Sequence, residues 1–362
     1  MSSKGKKKGK QKRPRRPPVA RPVTKPVEKP VDSLLNVMED GVEFESLLRI
    51  KKVNVDLISE LRRAMKDIQE IRKCKPICYL ANVVNSNIKA PTSINNDDVL
   101  PFSEMISKLP DSTKEIDIIL VTGGGLAQQV AEFVDKLRPR FDKVNFILPN
   151  KAMSAGTIFA MSGNSILMGP NSYIGPIDPQ VPGKNGSYVP AQAILTMIDD
   201  IQKRGEAFKK KGQSPPWTDI HLLNQIDPKE IGNAINASAY SIELVKNFLL
   251  KYKFADWTTH SFTKKAVTPE DRKKRSQEVA EYLCKHSVWK THSRSITREE
   301  AWTDCKLKIE HFESTRGLER AVRRFWALLN WTFENTSIAK VYLSDEYSIL
   351  RNDPTIQNPR GR

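Results

Sequence analysis

Short, largely apolar runs alternate with segments of helical periodicity in the first half of the chain. The runs Ile77–Val84, Ile116–Val121, Val144–Leu148 and Ser165–Met168 have the length of β-strands. Parallel strands that are covered on both faces read as unbroken apolar runs of this kind. Alternation of such strands with helices is typical of βαβ units, so the pattern predicts an α/β fold with a mostly parallel sheet. The helices predicted between the strands are Asp98–Leu109, Leu126–Leu137 and Ser154–Ser162.

Helical patterns flank this α/β region on both sides. Leu57, Leu61 and Met65 recur at every fourth position, which predicts a helical extension before the core or an oligomer contact. From Pro190 onward the chain is predicted to be mainly helical, at Ala191–Lys211, Lys229–Tyr252, Glu270–Lys285, Thr297–Cys305 and Gly317–Phe333. The predicted organisation is a tail (1–32), a helical extension (33–75), an α/β core (76–211), a mostly helical part of the same fold (212–350) and a second tail (351–362).

Positive charge is concentrated at the N-terminus. The net charge of the chain is +17, and residues 1–30 supply eleven of these charges, with twelve Lys or Arg against one acidic residue. Prolines recur at every fourth position after a Lys/Arg-rich block at residues 4–16. Such a segment has little apolar surface to bury, so the tail is predicted to be disordered or polyproline-like. Two interpretations stay open: a weak contact of residues 4–16 with nucleic acid or an anionic surface, or a solubilising tail.

Composition argues against a membrane protein and against a disulfide-rich secreted protein. The longest apolar runs are far shorter than the roughly 20 residues of a membrane helix, and no apolar segment follows the basic N-terminus as in a signal peptide. Four cysteines (Cys74, Cys78, Cys284 and Cys305) in 362 residues are too few for a disulfide scaffold. Their spacing supports no zinc site, so reduced thiols are predicted. We therefore expect a cytoplasmic protein without a membrane span.

Two strand-to-helix turns carry the candidate chemistry, and the first is glycine-rich. Residues 122–126 (TGGGL) end a buried strand with three glycines, whose backbone N–H groups are free to face an anion. The turn lacks the GxGxxG spacing and the Lys of a phosphate-binding loop, which argues against a nucleotide site. The other candidate anion is the oxyanion of an acyl-transfer reaction.

The second turn, residues 151–157 (KAMSAGT), places Ser154 between a strand and a helix. The helix N-terminus favours negative charge, and the Ala155 N–H is placed to help hold an oxyanion. Serine is also a favoured helix N-cap, so the alternative is simply a capped, tightly packed helix. Neighbouring parallel strands would bring this turn beside the glycine turn, which favours a nucleophile at Ser154.

A third segment, residues 169–180 (GPNSYIGPIDPQ), is so rich in Gly and Pro that its backbone path is predicted to be fixed. It follows the serine turn after one helix and one strand. Asp178 in this segment is a candidate to orient a general base. The alternative is a turn-forming Asp before Pro179, and the residues alone leave both interpretations open.

Together and in this order, these segments resemble the serine dehydrogenase proteinase family, relatives of Clp proteases and signal peptide peptidases. The matching stretches are LVTGGGLAQQVAEFVDKLR, AMSAGTIFAMSGNSILMGP and NSYIGPIDPQ. The later segment KTHSR, which contains His292, resembles a His-containing motif near the end of the same family. The resemblance spans roughly residues 76–345 and implies a Clp/crotonase-like α/β core with helical N- and C-terminal extensions.

The resemblance also implies roles for particular residues. Ser154 would be the nucleophile, and Gly124 or Gly125 together with Ala155 would supply the N–H groups of an oxyanion hole. Folds of this family usually assemble as rings or stacked oligomers, so a homo-oligomer is implied. One departure is Gly123, because the first position of this turn is commonly Pro in such folds.

The general base is not fixed by the sequence. A serine needs a base within hydrogen-bond reach to be nucleophilic at neutral pH. Clp proteases place a His near the position of Asp178, whereas signal peptide peptidases use a Lys. Among the five histidines we favour His292, oriented by Asp178, because KTHSR matches the family segment. Lys184 and Lys203 are alternative bases, since a buried Lys of lowered pKa can act in a Ser–Lys pair.

These observations lead to one main function hypothesis and two alternatives. The main hypothesis is a soluble serine peptidase that hydrolyses a peptide or protein substrate through an acyl-enzyme on Ser154, with no metal or organic cofactor. One alternative is a crotonase-type acyl-CoA enzyme, which uses a similar pair of N–H groups on a thioester. The other is a non-catalytic scaffold of the same fold that binds through its basic tail.

Overall fold

The computed structural model describes residues 30–51, 53–182, 188–261 and 263–355. Most of the predicted N-terminal tail and residues 356–362 lie outside the described residues. The strands are β1 (Lys75–Ala81), β2 (Glu115–Val121), β3 (Lys143–Leu148), β4 (Lys151–Ala152), β5 (Ser165–Met168), β6 (Tyr173–Ile174), β7 (Gln180–Pro182), β8 (Tyr188–Pro190), β9 (Glu310–His311), β10 (Ile338–Leu343) and β11 (Ser348–Asn352).

Thirteen α-helices are present in the described part of the chain, with a π-helical turn at Leu249–Lys253 after the ninth. The helices are α1 (Leu34–Val37), α2 (Glu43–Leu48), α3 (Leu57–Arg72), α4 (Val99–Ser107), α5 (Ala127–Leu137), α6 (Ala155–Met161), α7 (Ala191–Lys210), α8 (Trp217–Gln225), α9 (Pro228–Phe248), α10 (Pro269–Cys284), α11 (His286–Trp289), α12 (Arg298–Thr303) and α13 (Leu318–Asn335).

Seven strands form the central sheet, in the order β11-β10-β1-β2-β3-β5-β9. The strands β1, β2, β3, β5 and β9 are parallel, whereas β10 is antiparallel to β1 and β11 is antiparallel to β10. The predicted α/β fold with a mostly parallel sheet is therefore confirmed. The four predicted apolar runs correspond closely to β1, β2, β3 and β5.

Strands β10 and β11 differ from the predicted, mostly helical C-terminal part. Lys340 interrupts the apolar run of β10, so the segment does not read as a buried strand. Its ammonium group is nevertheless buried, because it donates to the Asp98 carboxylate at 2.6 Å and to the Ser93 carbonyl at 2.7 Å. A partner far away in the sequence thus makes this strand possible. Residues 351 and 352, predicted as tail, belong to β11.

Helices cover both faces of the sheet. On β2, Ile118 and Leu120 belong to the core shared with α4, α5 and α6, whereas Ile119 and Val121 belong to the core shared with α3 and α13. This burial on both faces explains why the strands read as continuous apolar runs. Helix α3, predicted as an extension or an oligomer contact, buries Leu61 in the second of these cores. It is therefore part of the layer that covers the sheet.

The carboxyl ends of the parallel strands lie along one edge of the sheet, as they do in any parallel sheet. Strand β2 ends at Val121, directly before the glycine turn, and β3 ends at Leu148, shortly before Ser154. The fold thereby places both candidate turns at this edge. The four cysteines are buried free thiols. Within the described ranges, no helix is long and apolar enough to cross a bilayer.

Candidate active site

Ser154 lies in a strained turn between β4 and α6. Its backbone has φ 52° and ψ −119°, a conformation that residues other than glycine rarely adopt. Ser154 occupies the N-cap position of α6, but its side chain makes no capping hydrogen bond. The interpretation as a serine that caps its helix is therefore wrong. Backbone strain of this kind is concentrated at functional sites, and a strained strand-to-helix turn presents the serine of many hydrolases.

The glycine turn and the Ser154 turn lie side by side, as the order of the strands predicted. The Thr122 N–H donates to the Lys151 carbonyl at 2.8 Å, and the Met153 N–H donates to the Thr122 carbonyl at 3.1 Å. Gly124 has a φ of +109°, and a Cβ built there would lie 2.7 Å from the Cβ of Ser154. Only glycine allows the two turns to approach so closely in this conformation.

The backbone N–H groups of the two turns differ in what they bind. The Gly124 N–H donates to the Thr122 hydroxyl at 3.1 Å. The N–H groups of Gly125 and Ala155 have no hydrogen-bond acceptor among the described residues. Ala155 is the first residue of α6, where a helix leaves its N–H groups unpaired. Of the three predicted oxyanion-hole residues, Gly125 and Ala155 are therefore the two whose amides lack an acceptor in the described part of the chain.

A cleft of about 890 Å³ contains both turns. Gly125, Ser154 and Ala155 line it from one side of the sheet edge, and His292 lines it from the loop after α11. Lys151 also belongs to the lining. The predicted nucleophile, two free amides and the favoured histidine thus share one cleft.

Asp178 holds His292 at this cleft. The aspartate is only 1% exposed, and its Oδ1 lies 2.8 Å from Nδ1 of His292. With Nδ1 of His292 donating to the Asp178 carboxylate, Nε2 would be left as the nitrogen that can take a proton. This contact favours the orienting role of Asp178 over the turn-forming one.

A second histidine, His286, contacts the same carboxylate. Its Nδ1 lies 3.3 Å from Oδ2 of Asp178. His286 was not among the predicted site residues, although it lies six residues before His292 in the segment KHSVWKTH. The paired histidines were the only local signal, and the spacing alone does not show that both reach one carboxylate.

Backbone hydrogen bonds bring the histidine segment to Asp178 from a distant part of the sequence. Ile174 and Ile296 form an antiparallel bridge, with N–H···O distances of 3.1 and 2.8 Å. The Ile177 N–H also donates to the Leu283 carbonyl at 3.0 Å. These contacts fix the loop that carries the histidines to the Gly/Pro-rich segment.

The predicted alternative bases were Lys184 and Lys203. Lys184 lies outside the described residues. Lys203 is exposed on α7 and is not part of the cleft lining. Its hydrogen bond to Asp199 raises the pKa of the Lys203 ammonium, the opposite of what a general base needs. Burial, with a smaller contribution from the Asp178 carboxylate, raises the pKa of the nearby Cys284 thiol to about 12, so it is no competing nucleophile.

Residues 44–211 match the family of ClpP-like SDH-type serine proteinases. The predicted resemblance is thereby confirmed over this part of the chain. The match begins earlier and ends earlier than the resemblance read from the motifs. It includes the glycine turn, Ser154 and Asp178, but neither His286 nor His292.

Two uncharacterized proteins of Methanocaldococcus jannaschii are similar to this chain. One is 29% identical over 164 residues, which are 44% of this chain and 47% of that protein. The other is 35% identical over 86 residues, which are 24% of this chain and 28% of that protein. The chain therefore spans about half or less of the length of these relatives.

A solved structure of a mutant 1510-N membrane-bound stomatin-specific protease is also similar to this chain. The two are 17% identical, with a TM-score of 0.35, and the similarity covers 60% of this chain and 74% of the other. A TM-score this low supports no conclusion about the activity of this chain.

Proposed function

We propose that this protein is a serine-type peptidase with Ser154 as the nucleophile and His292 as the general base. One observation carries the proposal. Ser154, whose backbone is strained and whose side chain makes no capping hydrogen bond, shares a cleft with His292, which the buried Asp178 carboxylate holds. The match of residues 44–211 to ClpP-like serine proteinases supports the same reaction class. His292 lies outside residues 44–211, so its assignment as the general base rests on its contact with Asp178.

In the proposed reaction, the Ser154 hydroxyl oxygen attacks the carbonyl carbon of a peptide bond, and its proton passes to Nε2 of His292. The amides of Gly125 and Ala155 stabilise the negative oxygen of the tetrahedral intermediate. Collapse of the intermediate breaks the C–N bond, and the leaving amine takes the proton from His292. Water then hydrolyses the acyl-enzyme with His292 again as base.

The proposed substrate is a peptide or protein, because the amide bonds of such a substrate can be hydrolysed through an acyl-enzyme on Ser154. No metal or organic cofactor takes part in the proposed steps. A homo-oligomer, a cytoplasmic location and a weak contact of residues 4–16 with an anionic partner stay predictions from the sequence.

The proposal is tested by labelling with a fluorophosphonate, which reacts with activated serines. We expect labelling of the native protein and none of Ser154→Ala. The matched control is Ser293→Ala, because Ser293 lines the same cleft and its hydroxyl lies 3.1 Å from that of Thr291. Equal thermal melting of all three proteins shows that folding is retained. Folded native protein that takes no label would contradict the proposal and favour the non-catalytic scaffold.

A further inference from the structure

We propose that His286 is a positioning residue of this site, which holds one oxygen of Asp178 so that the other stays directed at His292. This inference rests on the proposed function, because it assigns His286 a role in keeping the general base in place. It concerns a residue outside the segment that matches the proteinase family.

The Asp178 side chain is bonded through both of its oxygens. Its two oxygens have separate partners: Oδ1 meets Nδ1 of His292 at 2.8 Å, and Oδ2 meets Nδ1 of His286 at 3.3 Å. Among the described residues these are the hydrogen bonds recorded for this carboxylate. A buried polar group is costly unless it is hydrogen-bonded, and at 1% exposure the Asp178 carboxylate has both histidines as partners.

The terminal torsion of an aspartate joins an sp³ to an sp² carbon, and its energy profile is broad. A carboxylate with a single donor is therefore free to turn about that bond and to present either oxygen at a poor angle. A second donor on the other oxygen fixes the plane of the carboxylate, which in turn fixes the ring of His292.

His286 is itself held independently of Asp178. It is the first residue of α11, whose last residue, Trp289, is 5% exposed and donates from its indole N–H to the Tyr282 carbonyl at 2.8 Å. The Lys290 N–H donates to the His286 carbonyl at 2.7 Å and closes the helix. The imidazole is thus brought to Asp178 by a packed element, as a preorganised site requires.

The two histidines differ in their relation to the cleft. His292 lines the cleft, whereas His286 is not among the lining residues. We therefore expect His286 to act through Asp178 and not directly on the substrate. The effect expected from its loss is a slower chemical step with unchanged binding.

Three substitutions separate a hydrogen-bond donor from mere packing. In His286→Asn the side-chain amide nitrogen takes the place of Nδ1 and can still donate to Asp178. In His286→Gln the amide lies one bond further out, nearer the place of Nε2. His286→Leu retains bulk and loses the donor. His221→Asn, at an exposed histidine on α8, serves as the remote control.

Fluorophosphonate labelling at increasing probe concentration gives both a maximal rate and a half-saturating concentration. We expect His286→Leu and His286→Gln to lower the maximal rate roughly ten- to a hundredfold, since a misplacement of about 1 Å can cost about 10²-fold in rate. The half-saturating concentration stays unchanged, and His286→Asn and His221→Asn label at nearly the native rate. Equal maximal rates for Asn, Gln and Leu at position 286 would overturn the inference.

A second measurement does not depend on activity. In the Ser154→Ala protein, the Nδ1–H proton of His292 is expected as a separate, slowly exchanging NMR signal, because it is bonded to a buried carboxylate. We expect the signal to broaden or shift in His286→Gln and to persist in His286→Asn. An unchanged signal in both variants would contradict the inference.

Failure of the native protein to take the label would contradict the proposed function and not this inference. The NMR measurement would still test the role of His286 in that case. If His286→Leu does not fold, the comparison of Asn with Gln decides.

Discussion

Gly124 and Ser154 lie so close together that a Cβ on the glycine would be 2.7 Å from the Cβ of the serine. The glycine turn and the serine turn therefore form one packed unit. The same Gly124 donates its N–H to the Thr122 hydroxyl, which leaves the next amide, that of Gly125, for an oxyanion. The position of the proposed oxyanion hole thus depends on a residue that does not itself contribute an N–H group to it.

Substituting Gly124 by alanine is expected to separate the two turns. The change combines a strained positive φ with a steric overlap against backbone and Cβ atoms, so we expect a loss of about 1–3 kcal/mol in the free energy of unfolding. Fluorophosphonate labelling should fall with it. Gly123→Ala is the control, because a Cβ at Gly123 meets no atom within 4 Å. Denaturant unfolding of the two variants measures the difference, and equal stability would refute the packing argument.

Asp178→Asn is expected to slow the reaction without unfolding the protein. The amide can donate as well as accept, so Nδ1 of His292 no longer needs to carry the proton and the wrong tautomer becomes populated. The corresponding change in a Ser-His-Asp triad lowers kcat by about 10⁴-fold, so a reduction of at least roughly 10³-fold in the labelling rate is expected here. A labelling rate within a few fold of native would show that Asp178 does not orient the base.

The buried ion pair of Asp98 and Lys340 is expected to contribute to the free energy of unfolding only when both partners are present. Burial, the largest influence, lowers the pKa of the Lys340 ammonium, and the Asp98 carboxylate opposes this shift. Lys340→Met leaves a buried carboxylate without its cation, so the free energy of unfolding should fall by about 3–5 kcal/mol. Asp98→Asn should have a similar effect for the converse reason. Urea unfolding measures each variant.

A double variant tests whether these two effects are coupled. Asp98→Asn combined with Lys340→Met removes both charges at once, so its cost should be clearly smaller than the sum of the two single costs. Strictly additive costs would mean that the ion pair has no energetic role in joining β10 to the rest of the fold.

The thiols of Cys284 and Cys305 are expected to react slowly in the folded protein. Burial is the largest cause that raises the pKa of each thiol to about 12. Little thiolate is therefore present at pH 8, and a disulfide-exchange reagent should react with both only after unfolding. Because the folded pKa values lie above those of unfolded thiols, this contribution to stability is complete below about pH 8.5 and declines as the pH rises further. Rapid reaction in native buffer would disprove the assignment.

The sequence determined the layered fold and one half of the site. The apolar runs of β1, β2, β3 and β5 are long and unbroken because both faces of the sheet are buried, so local pattern alone identified them. The order of those strands then placed the glycine turn beside Ser154, because neighbouring parallel strands end at one edge. The two turns directly follow strands that the local pattern identified, so their placement side by side was correctly predicted.

The tertiary structure decided the rest, for physical reasons that no local pattern contains. Strand β10 carries a lysine whose burial depends on Asp98, a contact between residues far apart in the sequence. The two histidines reach Asp178 because the Ile174–Ile296 bridge and the bond from the Ile177 N–H to the Leu283 carbonyl join segments that are far apart in the sequence. Which of several histidines or lysines meets a given carboxylate depends on how distant segments pack, because side-chain hydrogen bonds act over about 3 Å. Composition and periodicity do not specify distances on that scale.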